Sequence, residues 1–271
     1  RIHNMLSALT TVNRNLAGNT TMGMMDAVSD STFGVAMDNL MAKYTGKRTV
    51  GNDIKYAKEY LNAAKNSAAM AALCVELDIP MDYESKYSTG TRNYSAAAGP
   101  VSRFMSAYEK SLKYALEVTD KFYEGGTIGA VGESLRRLGE KSGLSEKEIA
   151  ALARKAGARR TFKEGRRLSE ANMALKDALN YIGTEDFGAG DLLIPFARVP
   201  GDVAQVGVDY SGGGLIEGFS EIAKVIKDAK AGKEIDVYRQ RKAATDFARG
   251  VTGSGAIALF TALAAAGVIS V

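Results

Sequence analysis

From Val251 to Val271 the chain carries 21 residues without a single charge. As a helix rising about 1.5 Å per residue, that run would cross a hydrocarbon core of about 30 Å. It is rich in small residues, among them Gly253, Gly255, Ala258, Ala262 and Ala266, and it is diluted by Thr252, Ser254, Thr261 and Ser270. Residues 236–249, just before it, hold Arg239, Arg241, Lys242 and Arg249 against Asp236 and Asp246, a basic flank of the kind that borders membrane helices. Left in water, such a helix would expose an apolar patch above roughly 600 Å². It therefore has to pack into the body of the protein, into neighbouring subunits or into lipid. No proline interrupts 236–271, so the flank and the run are expected to form one helix packed against protein. Gly255, Ala258, Ala262 and Ala266 step by three or four residues and are expected to be its close-contact stripe.

The rest of the chain also reads as helix. Four prolines and no tryptophan occur in 271 residues, and apolar residues recur at three- and four-residue steps. Helices are expected over 20–44, stopped at Gly46, and over 52–77, where small residues such as Ala64, Ala68 and Ala71 allow a partner to approach. A third is expected over 101–123, with Phe104, Tyr108, Leu112, Ala115 and Phe122 on a buried face and Gly125-Gly126 as its stop. Ser145 and Glu148 have the spacing of a capping box opening a short helix. Pro195 and Pro200 bracket a segment expected to be extended or turned, with Phe196 as an anchor. The predicted fold class is all-α, a multi-helix bundle with long helices and an apolar C-terminal helix. Its expected organisation is a helical body over 1–190, with an irregular loop near 80–100 and a basic stretch at 131–180. A proline-punctuated connection and an apolar helical module follow at 191–271. The chain opens on Arg1 and stops inside the uncharged run, so a longer parent protein is expected.

Composition limits the chemistry. One cysteine, Cys74, and one histidine, His3, exclude an intrachain disulfide, a Cys-based zinc site and the commonest metal sites, and a Ser-His-Asp triad would have to recruit His3. No catalytic constellation, cofactor site or metal site is expected, and the chain reads as a non-enzyme. Gly46-Lys47-Arg48-Thr49 resembles the tail of a phosphate loop, but Met41 stands where the loop needs glycine, so it reads as a basic helix C-terminus. The spacing of Gly253, Gly255 and Ala258 matches a dinucleotide fingerprint without the strand that motif requires, and reads instead as helix packing. Asp26 and Asp30 share a helix face and are expected to be solvated. The net charge is +4, yet residues 131–180 hold 12 Lys/Arg against 7 Asp/Glu, an excess of five. Arg159, Arg160, Arg166 and Arg167 within that stretch are the candidate nucleic-acid contacts, set against a plain solvated basic face.

Short stretches of the sequence resemble a domain of the large polyvalent proteins of phages and other mobile elements. The likeness is carried by Asn13-Arg14-Asn15 with Gly18-Asn19, Asp38 and Thr45-Gly46-Lys47-Arg48-Thr49. Further on it is carried by Leu116 to Phe122 including Asp120, and by Thr161-Phe162. It ends with Pro195-Phe196-Ala197-Arg198-Val199-Pro200, Asp209-Tyr210-Ser211 and Arg249 to Gly253. The resemblance implies a non-enzymatic internal virion protein of the ejection type, assembling with copies of itself and with other virion proteins. Such a protein sits in the virion interior, then reaches the host envelope or cytoplasm with the DNA. A soluble DNA-associated module of a larger mobile-element protein is the alternative. Self, virion proteins, DNA and host membrane are the expected partners.

Overall fold

The computed structural model describes residues 17–51, 55–77, 100–161, 167–181, 183–184, 187–188 and 198–266. The fold is all-α, with long helices and an apolar C-terminal helix. The helix α1 covers 17–45, in which a π-helical turn, Asp30–Gly34, joins an α-helix over 17–29 to another over Val35–Thr45. Then come α2 (Tyr56–Glu76), α3 (Pro100–Leu138), a 3-10 turn at Gly139–Ser142, α4 (Glu146–Arg160) and α5 (Arg167–Asn180). A minimal antiparallel pair, β1 (Gly183–Thr184) and β2 (Phe187–Gly188), precedes α6 (Arg198–Asp209), α7 (Gly212–Lys230) and α8 (Val237–Ala265).

The ends of these helices follow local chemistry. Gly46 closes α1 at φ 70°, a left-handed conformation that glycine adopts without strain. The capping box forms: the Ser145 amide donates to Glu148 Oε2 at 2.8 Å and the Glu148 amide donates to Ser145 Oγ at 3.3 Å. Ser211 and Asp236 accept from the amides of Gly213 and Tyr238 at the starts of α7 and α8. Pro200 lies in the first turn of α6, where a missing amide hydrogen costs no helical bond. The expected non-helical segment therefore ends by Arg198, and Pro195 and Phe196 lie outside the described residues.

The chain forms two compact units. In the first, the start of α1, α2, α3 to Ser134 and α4 from Ile149 surround Ala64, Ala71, Ala130, Val131, Leu152 and Ala153. Gly125-Gly126 does not stop a helix here, because α3 runs on to Leu138. The reason is close packing. A Cβ at Gly126 would meet the Tyr60 ring at 2.8 Å, and one at Gly129 would overlap Ala63 on α2. Glycine weakens a helix by about 1 kcal/mol relative to alanine, and here that cost admits the Ala face of α2. Ala115 and Phe122 are half-buried, and the side chains of Phe104, Tyr108 and Leu112 lie outside the described set.

The second unit contains α1 from Met25, the turn at Leu135–Glu148 and α5 through α8, so the C-terminal segment shares its unit with parts of the N-terminal half. Its core is Met41, Val50, Ile222, Val225, Ala243 and Ala244. Antiparallel α7 and α8 meet backbone to backbone. A Cβ at Gly218 would lie 2.5 Å from Phe247 Cα, one at Gly250 2.5 Å from Leu215 Cα, and one at Gly253 2.6 Å from the Tyr210 carbonyl carbon. The π turn sets the face that α1 turns toward α8. In a uniform α-helix, residues 26 and 38 would sit about 120° apart around the axis; the one extra residue a π bulge accommodates removes about 100° of that. Hydroxyls serve the altered register: Ser29 Oγ donates to Met25 O at 2.8 Å and Thr32 Oγ1 to Val28 O at 2.6 Å. Asp26 and Asp38 thereby both meet side chains of α8, Arg249 and Gln240 respectively.

Two outcomes test this packing. Gly250→Val should cost at least 1–3 kcal/mol in urea unfolding, the usual range for overpacking, while Gly255→Ala, with nothing within 4 Å of the added carbon, should stabilise by up to about 1 kcal/mol. Equal responses would contradict the assigned contacts. The second outcome concerns Glu148. Hydrogen bonds from Lys47, at 2.7 Å, and from Ser145 hold its carboxyl down to about 2, against an ordinary 4.5. A depressed carboxyl contributes stability above its unfolded value and loses it as pH falls toward the folded one. Glu148→Gln should therefore reduce the loss of stability between about pH 4.5 and pH 2, measured by denaturant midpoints across that window.

Candidate functional site

Where α8 passes α1 and the turn between α6 and α7, four side chains from three elements converge. Arg249 Nε lies 2.7 Å from Asp26 Oδ1, and the Tyr210 hydroxyl donates to that same oxygen at 2.6 Å. The other carboxylate, Asp209, stands 3.9 Å from the Arg249 guanidinium and accepts from Gln205 Nε2 at 3.1 Å. The guanidinium also sits 5.9 Å from the Tyr210 ring centroid. Burial, with the Asp26 charge beside it, holds the Tyr210 hydroxyl well above its ordinary value. The cluster therefore works as an ion pair closed by a protonated tyrosine.

The same pairing runs down α8. Lys242 meets Asp246 at 2.6 Å, Arg241 lies 3.8 Å from Asp30 and donates to the Thr49 carbonyl, and Arg239 lies 3.0 Å from Asp228. Fully buried Gln240 donates to Asp38 Oδ1 at 3.0 Å and to the Lys47 carbonyl at 2.7 Å. Asp38 also accepts from the Thr49 and Val50 amides at 2.8 and 3.0 Å. The expected basic flank is thus committed to carboxylates within the fold. Asp26 and Asp30, expected to face solvent, are the partners of Arg249 and Arg241. Among the described residues, no three His, Cys, Asp or Glu side chains are placed to hold a metal ion.

Beyond this cluster α8 leaves its neighbours. Gly253 is buried on Tyr210, but Gly255 has nothing within 4 Å, and Ala258, Ala262 and Ala266 are exposed. The expected close-contact stripe is therefore displaced: among the described residues Gly250 and Gly253 make the contact, because α7 begins at Gly212, level with Gly253. Exposed with them are Ile257 (58%), Leu259 (59%) and Phe260 (60%). At about 100° per residue, Ile257 and Phe260, three residues apart, share a face of the helix, and Leu259 points to the opposite side. Among the described residues, α8 is the helix long and apolar enough to cross a membrane, and 22% of its most apolar window is buried.

The candidate nucleic-acid contacts divide. Arg159 and Arg160 are buried rather than on an open basic face. Arg160 donates to the Asn19 carbonyl and lies 6.0 Å from the Tyr123 ring centroid, so it holds the start of α1 in its unit. Arg166 lies outside the described residues, as does the side chain of Arg167, whose backbone opens α5. Asn13, Arg14 and Asn15 also lie outside them. Gly46 is the α1 cap and Asp120 is buried in α3. Sequence reasoning missed Tyr210, Asp209 and Arg249 as a cluster, although their stretches were among those that carried the resemblance.

Replacing the buried Arg249 by Met removes the cation shared by buried Asp209 and half-buried Asp26, and should cost about 3 kcal/mol in unfolding free energy. Arg249→Met, Asp26→Asn should recover part of that loss. A single-variant cost below about 1 kcal/mol would contradict the buried geometry.

Comparison with protein-family models, with curated proteins and with solved structures finds no match to this chain.

Proposed function

We propose that the chain is a non-enzymatic helical protein of the phage virion interior, of the ejection type, that engages the host envelope through the end of α8. The observation that carries this reading is the largely exposed, uncharged stretch 254–266, with Ile257 and Phe260 exposed on one face and Leu259 on the opposite one. A helix that is apolar all round is at home in a protein core or in lipid, and among the described residues this stretch stays largely exposed. The described helical part, 254–265, is about 18 Å long, enough to enter one leaflet of a core of about 30 Å. Assembly with further copies and other virion proteins belongs to the same reading, on the strength of the resemblance. A DNA-associated module is the weaker alternative, because Arg159 and Arg160 are buried.

Vesicle flotation tests the membrane step. The protein should float with phosphatidylethanolamine–phosphatidylglycerol vesicles, and should keep floating at high salt because the cations of α8 are already paired. Leu259→Asp, Phe260→Asp should abolish flotation while leaving the unfolding midpoint unchanged, since both side chains are exposed. A wild-type protein that stays in the soluble fraction, or a double variant that floats equally, would overturn the reading. Mass spectrometry of intact particles tests the virion assignment: the chain should be present inside them in several copies, and its absence would remove that assignment.

A further inference from the structure

We infer that the lipid-contacting surface is composite, with Ile216 and Phe219 on α7 entering the bilayer beside the end of α8. The inference rests on the membrane reading above and extends it to a second element. Because α7 and α8 are antiparallel, Gly218 lies on Phe247, Leu215 on Gly250 and Tyr210 on Gly253. The N-terminal turns of α7 therefore flank the base of the uncovered helix. Ile216 (73%) and Phe219 (64%) are three residues apart, so they share a face. That face is the reverse of the one that buries Gly214, Gly218, Ile222 and Val225 against the unit. A large, doubly apolar outer face on a helix whose inner face is already packed has no role in the core.

The placement of charge around this end fits lipid. From Gly212 to Phe219 the only charged residue is Glu217, which is half-buried and engaged with another group. At the same level Arg249, Asp26 and Asp209 are turned inward onto one another. The first partly exposed charges of α8 below that level are Lys242 and Arg239, each ion-paired. Along α8, the distance from the level of Phe247 to Ala265 is 18 residues, about 27 Å. That approaches the full hydrocarbon thickness of about 30 Å, whereas the end of α8 alone reaches about 18 Å. A second copy of this chain would cover one stripe of one helix. The exposed apolar residues here surround α8 and continue onto the outer face of α7, a distribution that a fluid apolar solvent satisfies and a single protein surface does not.

Site-specific depth measurements test the inference. In a Cys74→Ser background, Phe260→Cys, Phe219→Cys and Lys233→Cys would each be labelled with an environment-sensitive fluorophore and mixed with phosphatidylethanolamine–phosphatidylglycerol vesicles carrying nitroxides at the headgroup or mid-chain. The label at 260 should be quenched by mid-chain nitroxide, the label at 219 by shallower nitroxide with a blue shift, and the label at 233 by neither. Ile216→Asp, Phe219→Asp should also weaken vesicle partition by about tenfold or more. If 260 enters lipid while 219 behaves like 233, the composite surface is overturned and the membrane reading stands. If neither enters lipid, both fall. A blue shift at 219 in vesicle-free protein that grows with protein concentration would assign the face to a second copy, and would also overturn the inference.

Discussion

The second unit depends on α7 and α8 touching through their backbones. Gly218, Gly250 and Gly253 are the points of contact, and a single methyl group at any of them would collide with main-chain atoms of the other helix or of Tyr210. Interiors are packed closely enough that such collisions cannot be absorbed by slack. The close approach gathers dispersion contacts along both helices and fixes their axial register. Register in turn decides which residues of α8 have a neighbour and which do not. Phe247 and Leu215 fall in the overlap, whereas Ile257 and Phe260 lie past the first residue of α7. The same device appears in the first unit, where Gly126 and Gly129 of α3 admit Tyr60 and Ala63 of α2.

Once register is set, the charges of α8 become partners of specific carboxylates. Arg249 takes Asp26 and Asp209, Arg241 takes Asp30, and Gln240 completes the shell of donors around Asp38. Buried ion pairs add little to net stability, because desolvation offsets their attraction, but losing one partner is costly. Their effect is to specify one arrangement of α1 against α8, which the π turn at Asp30–Gly34 makes geometrically available. A further consequence is that Arg249, Asp26 and Asp209, at the end of the unit from which α8 emerges, are turned onto one another. The exposed apolar end of α8 and the internal charge pairing are then two outcomes of one register.

Much of this was legible in the chain before its structure. Helical spacing located α1, α2 and the first part of α3, Gly46 and the Ser145–Glu148 pair marked true helix boundaries, and the proline-free run 236–271 foretold α8. The misreadings share a physical origin. Glycine ends helices and also lets helices touch, and local sequence does not separate the two roles, so Gly125-Gly126 read as a stop. An arginine run is by default solvated, yet Arg160 finds the Asn19 carbonyl 141 residues away. A row of small residues marks a stripe but not the length of the helix opposite, so the expected stripe of Gly255, Ala258, Ala262 and Ala266 lies beyond the contact made by Gly250 and Gly253. The Arg249 cluster stayed hidden because its members are 26, 209, 210 and 249, brought together only by the fold.

Amide hydrogen exchange along α8, with and without vesicles, tests the account most directly. In water, residues 237–253 should be strongly protected, since they lie under the glycine contacts and the ion pairs, while 254–265 should exchange quickly as an uncovered helix end. Adding phosphatidylethanolamine–phosphatidylglycerol vesicles should slow exchange in 254–265 and leave 237–253 unchanged. Protection of 254–265 that is already high in water, or that vesicles do not alter, would contradict the claim that lipid is what this helix end is built to meet.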